Sequence, residues 1–180
     1  MTSDELRERL AHYELTPLVR TLYRATLLDR NPLASSTRGG RWIPPGSLSV
    51  LYTSTSRDGA LAEIAFRMGL STPISRRPVK IHRLRVASNA ALMLSRADLE
   101  RLDVDLASFG EIDYSWTQTI GLGAFQIGAS SLQVPSARWP ADTLVILDET
   151  SANNTVDLLD SEVVDWFSWA MQNAPQFLQR

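Results

Sequence analysis

Apolar residues near the start of the chain fall at Leu6, Leu10 and Tyr13, the three- and four-residue steps of one helix face. Ser3 is placed to cap that helix, which extends through about His12, and Pro17 ends the element. Leu22-Tyr23-Arg24-Ala25 then reads as a short strand, and Leu48 to Thr53 is again rich in strand-forming side chains. Between them, Asp29 to Ser47 is a long polar connection with three prolines and three glycines. Connections of that length are more often functional than idle.

The pattern then returns to helical spacing. Ser56-Arg57-Asp58-Gly59 opens a helix whose Leu61, Ile64, Ala65 and Met68 form one apolar stripe. Val79 to Val86 is a strand, and Ser95-Arg96-Ala97-Asp98 has the form of a capping box opening a short helix to Leu102. Tyr114 to about Ile127 carries Ile120, Ala124 and Ile127 on one side. The glycines there, Gly121, Gly123 and Gly128, weaken a helix unless they mark the close approach of a neighbour. Thr143 to Leu147 is a strand apolar enough to be buried. Asp160 or Ser161 is placed to cap a last helix, about 160–173, with Val163, Val164, Phe167 and Met171 pointing inward. Helices and strands in this unrepeating order define an α+β chain, and no linker divides residues 1–180, so a single domain is expected.

Composition narrows the function. A chain of 180 residues that is 44% hydrophobic supports one sizeable core. With 18 Lys+Arg against 20 Asp+Glu, net charge -2, there is no global field and no basic stripe to draw it onto nucleic acid or an anionic membrane, so an anion site has to be local. Lys80 is the only lysine, so the cations are arginines, whose planar fork suits phosphate and carboxylate. The absence of cysteine excludes disulfides, a thiolate nucleophile and Cys-based zinc. The two histidines, His12 and His82, lie in unrelated segments, so no metal is expected. No signal-like start and no run of roughly 20 apolar residues are present, and a cytoplasmic protein is expected.

Familiar nucleotide motifs are missing. Gly121-Leu122-Gly123 with Gly128 fails the dinucleotide fingerprint, since its third glycine is misplaced. There is no phosphate-binding P-loop and no Gly-x-Ser-x-Gly elbow.

The chemistry concentrates around Arg38-Gly39-Gly40-Arg41-Trp42. Two glycines let backbone approach a ligand and expose N–H groups, with an arginine on each side, a combination that suits a pyrophosphate; a solvated turn whose Trp42 plugs the core edge fits the same residues. Glu63 lies opposite the apolar stripe of its helix, four residues before Arg67, where a surface ion pair is the simple account. Its helix follows the strand of Tyr52, however, and a carboxylate at that strand's end could stabilise an oxocarbenium-like sugar. Arg24, in apolar company, is either a strand-face charge reaching solvent or a buried cation needing an anion. Ser136, after a strand-like approach and Pro135, is by itself a turn residue or a catalytic one.

Taken in order, Tyr23-Arg24, Arg38-Gly39-Gly40-Arg41-Trp42, Leu51-Tyr52-Thr53-Ser54, Ala60-Leu61-Ala62-Glu63 and Val134-Pro135-Ser136-Ala137 resemble the RES-domain family, named for its arginine, glutamate and serine. The match runs over about residues 22–147. The resemblance implies an ADP-ribosyltransferase-like fold of small mixed or antiparallel sheets flanked by helices. It implies a toxin of a bacterial toxin–antitoxin pair that cleaves the nicotinamide N-glycosidic bond of NAD+ and is silenced by a helix-turn-helix antitoxin; a homodimer is compatible with it. It assigns Arg24, with Arg41 and Arg38, to the NAD+ phosphates or ribose, Tyr52 to the nicotinamide, Glu63 to the nicotinamide ribose, and Ser136 to the cofactor. Glu63, Tyr52 and Arg24 are then the catalytic set. The acceptor, whether water, phosphate or a protein side chain, stays open. The sequence departs from the family at Ile43-Pro44-Pro45-Gly46, where an asparagine is common, and at Asp148-Glu149-Thr150-Ser151, where an Asn-Pro-x-His-Pro segment is expected. The rival reading is an inactive nucleotide- or protein-binding module of the same fold, with Trp166 and Trp169 as an exposed interface; the same two indoles also fit a plainer place as caps on the core.

Overall fold

The computed structural model describes residues 2–147 and 153–179; the Asp148-Glu149-Thr150-Ser151 departure lies outside them. Helix α1 (Ser3–Leu10) is capped by Thr2, one residue before the expected Ser3, in a reciprocal box in which the Thr2 N–H donates to Glu5 Oε2 (2.7 Å) and the Glu5 N–H to Thr2 Oγ1 (3.3 Å). The helix stops at Leu10, and Pro17 does not end it. Instead Pro17 lies near the start of β1 (Thr16–Leu27), at a register shift between Thr16 and Leu18 where its missing N–H is tolerated. The long connection leads to β2 (Leu51–Ser54), and α2 (Arg57–Gly69) follows, with Ser56 Oγ accepting the Gly59 N–H at 2.9 Å. Next come β3 (Val79–Met93), α3 (Arg96–Arg101) with the expected Ser95/Asp98 capping box, α4 (Ser115–Gln126), β4 (Ser131–Pro135), β5 (Asp142–Ile146), β6 (Asn154–Val164) and α5 (Trp166–Asn173).

The six strands form one mixed sheet. Strand β3 carries β1 along one edge; on the other it carries β6 over residues 79–88 and then β4 over 91–93. Strand β1 meets β2 at Tyr23 and Ser54, β2 pairs with β5, and β5 with β4, so five strands close into a ring. Every pairing is antiparallel except β3 with β4.

Alternation along the strands sends side chains to two sides of the ring. Leu22, Leu51, Leu84, Leu144 and Ile146 form one cluster. The opposite face, carrying Leu132, Val134 and Val145, packs with α1, α4, Trp42 and Ile43. Helices α2 and α5 bury Leu61, Ile64, Trp166 and Ala170 against Val79 and Ile81.

The carboxyl-terminal expectation is corrected. Residues 160–164 are strand, because Val163 and Val164 pair with Lys80 and Val79 of β3, and the helix begins only at Trp166, capped by Asp165. Val163 is 64% exposed and Met171 55%, so neither points inward, whereas Val164 and Phe167 are half-buried. Trp166 is 2% exposed and donates to the Arg77 carbonyl at 3.1 Å. Trp169 packs on Trp139 with ring centres 5.4 Å apart and donates to Asp58 Oδ1 at 3.0 Å. Both indoles close the core, which removes the exposed interface on which the binding-module reading leaned.

Candidate functional site

The Arg38–Trp42 segment is held from inside. Gly39 takes φ +71°, a conformation that glycine reaches without strain. The Gly40 N–H is spent on the Ile43 carbonyl at 2.8 Å, so it is not turned toward a ligand as the sequence reading supposed. Gly40 is glycine because Tyr52 lies against it: a Cβ there would sit 2.8 Å from the Tyr52 hydroxyl oxygen. That hydroxyl accepts the Trp42 N–H at 3.2 Å, and Trp42 and Ile43 are fully buried. Helix α4 grips the other side. Gln118 Nε2 donates to the Gly40 carbonyl at 2.8 Å and Thr117 Oγ1 to the Arg41 carbonyl at 2.6 Å, while Gly121 leaves room for the Trp42 carbonyl. The glycines of α4 thus mark the close approach of a neighbour, and α4's supporting role had no sequence signal beyond them.

This scaffold aims Arg41. Its guanidinium, half-buried, lies 4.5 Å from the Tyr114 ring centre and 5.0 Å from that of Phe109, and Nη2 donates to the Glu111 carbonyl at 3.1 Å. Burial first, and the nearby Arg138 charge after it, lower its pKa, while Tyr114, Glu63 and Tyr52 raise it. Arg38 is exposed, within electrostatic reach of Arg67. Arg24 shares the strand face of Leu22 and Thr26, opposite the face of Tyr23, Ala25 and Leu27 that packs with the α2 cluster. Its Nη2 donates to the Ala34 carbonyl at 3.0 Å, and across the ladder it faces His82. The structure therefore places Arg24 beside the connecting loop, on the other side of β1 from α2.

Glu63 and Ser136, 73 positions apart, meet directly. Ser136 Oγ donates to Glu63 Oε1 at 3.0 Å and accepts the Arg138 N–H at 3.1 Å. Ser136 is 3% exposed, and its own N–H closes the turn after β4 onto the Ala141 carbonyl at 2.8 Å. Its hydroxyl thus serves the turn and the carboxylate together. Glu63 is half-buried, and among the described residues no cation stands within ion-pair distance of it. The simple account, a surface pair with Arg67, is replaced by the serine contact, although Arg67 remains close enough to feel the carboxylate. Glu63, Ser136, Tyr52 and Arg41 are therefore one neighbourhood. It also holds Arg138, which sequence reasoning missed: nothing but its place two residues after Ser136 marks it.

Burial, with Glu63 nearby as a smaller influence, pushes the Tyr52 phenol up to about 12, from the usual value near 10. Between those values the unfolded chain loses this proton while the folded protein keeps it, so stability present below about pH 10 is lost as the pH rises toward 12. Thermal melts across that range should fall more steeply for the wild type than for Tyr52→Phe. Tyr13, also raised, is common to both proteins. Parallel loss in the two would show that Tyr52 is not the source.

A ring of mixed strands carrying a serine-bound carboxylate, a half-buried tyrosine and a clasped arginine in one neighbourhood defines an α+β domain. The RES domain family model matches residues 20–166, and the chain belongs to that family. The fold matches a crystal structure of the Mycobacterium tuberculosis MbcT-MbcA toxin-antitoxin complex, with TM-score 0.81 and 21% identity over 96% of this chain and 100% of that one. An anti-CRISPR protein aligns with TM-score 0.40 and 14% identity over 81% of this chain and 98% of that one. No curated protein matches the sequence. Among the described residues, no helix is long and apolar enough to cross a membrane and no group of three metal-binding side chains gathers.

Proposed function

We propose that this protein consumes NAD+ by cleaving its nicotinamide N-glycosidic bond, as the toxin of a toxin–antitoxin pair. The observation that carries the reading is the Ser136–Glu63 hydrogen bond, which holds a carboxylate oxygen in a fixed direction beside Tyr52 and Arg41.

The chemistry asks little more of the protein. As the C–N bond breaks, its electron pair stays on the nicotinamide nitrogen, which becomes neutral, so departure needs no acid. Positive charge develops on the ribose, where a fixed carboxylate stabilises it more in the transition state than in the ground state. Glu63 supplies that charge and Ser136 its orientation. Arg41, with Arg38, receives the pyrophosphate, Tyr52 borders the nicotinamide end, and Arg24, on the other side of β1 from Glu63, anchors through the Ala34 carbonyl the loop that carries both arginines. The acceptor is water, phosphate or a protein side chain. If it is water, the products are ADP-ribose, nicotinamide and a proton.

The fold match to a toxin from a toxin–antitoxin complex supports an antitoxin partner for this chain, and the family resemblance points to a helix-turn-helix protein. Purified protein incubated with NAD+, with and without phosphate, should release nicotinamide measurable by chromatography. No release above the protein-free rate in either buffer would overturn the enzymatic reading.

A further inference from the structure

The turn after β4 delivers a further cation to the neighbourhood of Ser136 and Arg41. Arg138 is half-buried, with its guanidinium carbon 3.5 Å from the centre of the Phe66 ring of α2. Its Nη1 donates to the Gly110 carbonyl, one residue before the Glu111 carbonyl that receives Arg41. Two guanidiniums from segments remote in sequence thus converge on adjacent carbonyls of one loop. They are close enough for Arg138 to disfavour the charge on Arg41. Arg138 Nη2 is buried and has no hydrogen-bond partner among the described residues.

That arrangement is unfavourable as it stands. A buried guanidinium nitrogen without an acceptor forfeits its hydration, and a like charge beside it adds to the penalty. Glu63 bears on Arg41 with its negative charge, against the combined positive charge of Arg41 and Arg138. A bound anion with oxygens on two sides would satisfy Nη2 and offset both charges. Ser136 ties Arg138 to Glu63, since its hydroxyl bridges the Arg138 N–H and the Glu63 carboxylate.

We propose that Arg138 is a second anion-binding residue of this neighbourhood, beside Arg41, and that its unpartnered Nη2 takes a phosphoryl oxygen. This rests on the NAD+ reading only for the identity of the natural ligand. The phosphoryl group belongs either to a nucleotide diphosphate or to free phosphate.

Calorimetry on the wild type, Arg138→Gln and Arg138→Lys separates these cases, with ADP-ribose and inorganic phosphate as probes. Glutamine keeps an N–H donor for the Gly110 carbonyl and removes the charge, and should weaken the relevant probe by about tenfold or more. Lysine restores the charge without the planar stack on Phe66, so it should recover part of the affinity, which a purely structural role would not allow. Loss confined to ADP-ribose identifies the diphosphate as the ligand, and loss confined to phosphate identifies the free ion. Wild-type affinity for both probes in Arg138→Gln, no binding of either by the wild type, or equal loss in both variants overturns the assignment. Should the wild type bind ADP-ribose through Arg138 yet release no nicotinamide, the anion site stands and the NAD+-cleaving function falls.

Discussion

Replacing Glu63 with glutamine will lower nicotinamide release by at least about a hundredfold and leave the thermal midpoint within a few degrees of wild type. Glutamine has the shape of glutamate and keeps a carbonyl oxygen where Oε1 accepts the Ser136 hydroxyl, so the turn after β4 and the α2 surface lose no partner. What disappears is the negative charge. A unit charge about 4 Å from a developing cation, at an effective dielectric of about 20, contributes on the order of 4 kcal/mol. That corresponds to roughly a thousandfold in rate, so a hundredfold is a conservative floor. Affinity for ADP-ribose should hold or improve, because the substitution removes a carboxylate from the neighbourhood of the phosphates. The variant thus separates transition-state stabilisation from binding. Turnover within about threefold of wild type would remove Glu63 from the chemistry and leave the carboxylate a structural partner of Ser136.

How much of this was legible in the sequence depended on whether the deciding interaction was local. The Ser95/Asp98 capping box and the α2 stripe were readable, since their partners lie within a few residues. Strand β6 was not. Its Val163 and Val164 fit a helical stripe as well as a strand, and only the ladder with β3 decides between them. Strand β4 is buried at every position and shows no alternation to find. In the Arg-Gly-Gly-Arg-Trp segment the glycines serve packing against Tyr52 and closure of the loop; Arg38 alone is exposed, and Arg41 is clasped by Phe109, Tyr114 and the Glu111 carbonyl, none of which its sequence neighbours announce. Glu63 and Ser136 could be paired beforehand only through family resemblance, because nothing in the spacing of residues 73 apart foretells a hydrogen bond. Arg138 escaped for the same reason, its partners Phe66 and Gly110 being remote in the chain.

Gly121→Ala provides the sharpest test of how the site is held. Propensity alone favours alanine inside a helix by about 1 kcal/mol. In α4, however, a Cβ at position 121 would overlap the Trp42 carbonyl and crowd Ile43 Cδ1 at 3.2 Å. The carbonyl cannot swing aside as a side chain could. Its segment is fixed by Trp42 N–H on Tyr52, Gly40 N–H on the Ile43 carbonyl, and Gln118 and Thr117 on the preceding carbonyls. Relief therefore requires moving α4 or the loop, and overpacking of this kind costs about 1–3 kcal/mol or more. A net loss of about 2 kcal/mol is expected, read as a lower urea midpoint with an unchanged slope. Because the displaced segment carries Arg41, ADP-ribose affinity should fall as well. Gly123→Ala is the internal control: its Cβ would meet Leu10 Cδ1 at 2.7 Å, the movable end of a side chain, so propensity offsets much of the strain. If Gly121→Ala proves as stable as wild type, α4 is not the rigid wall that sets the loop, and Arg41 is positioned by its Phe109 and Tyr114 contacts instead.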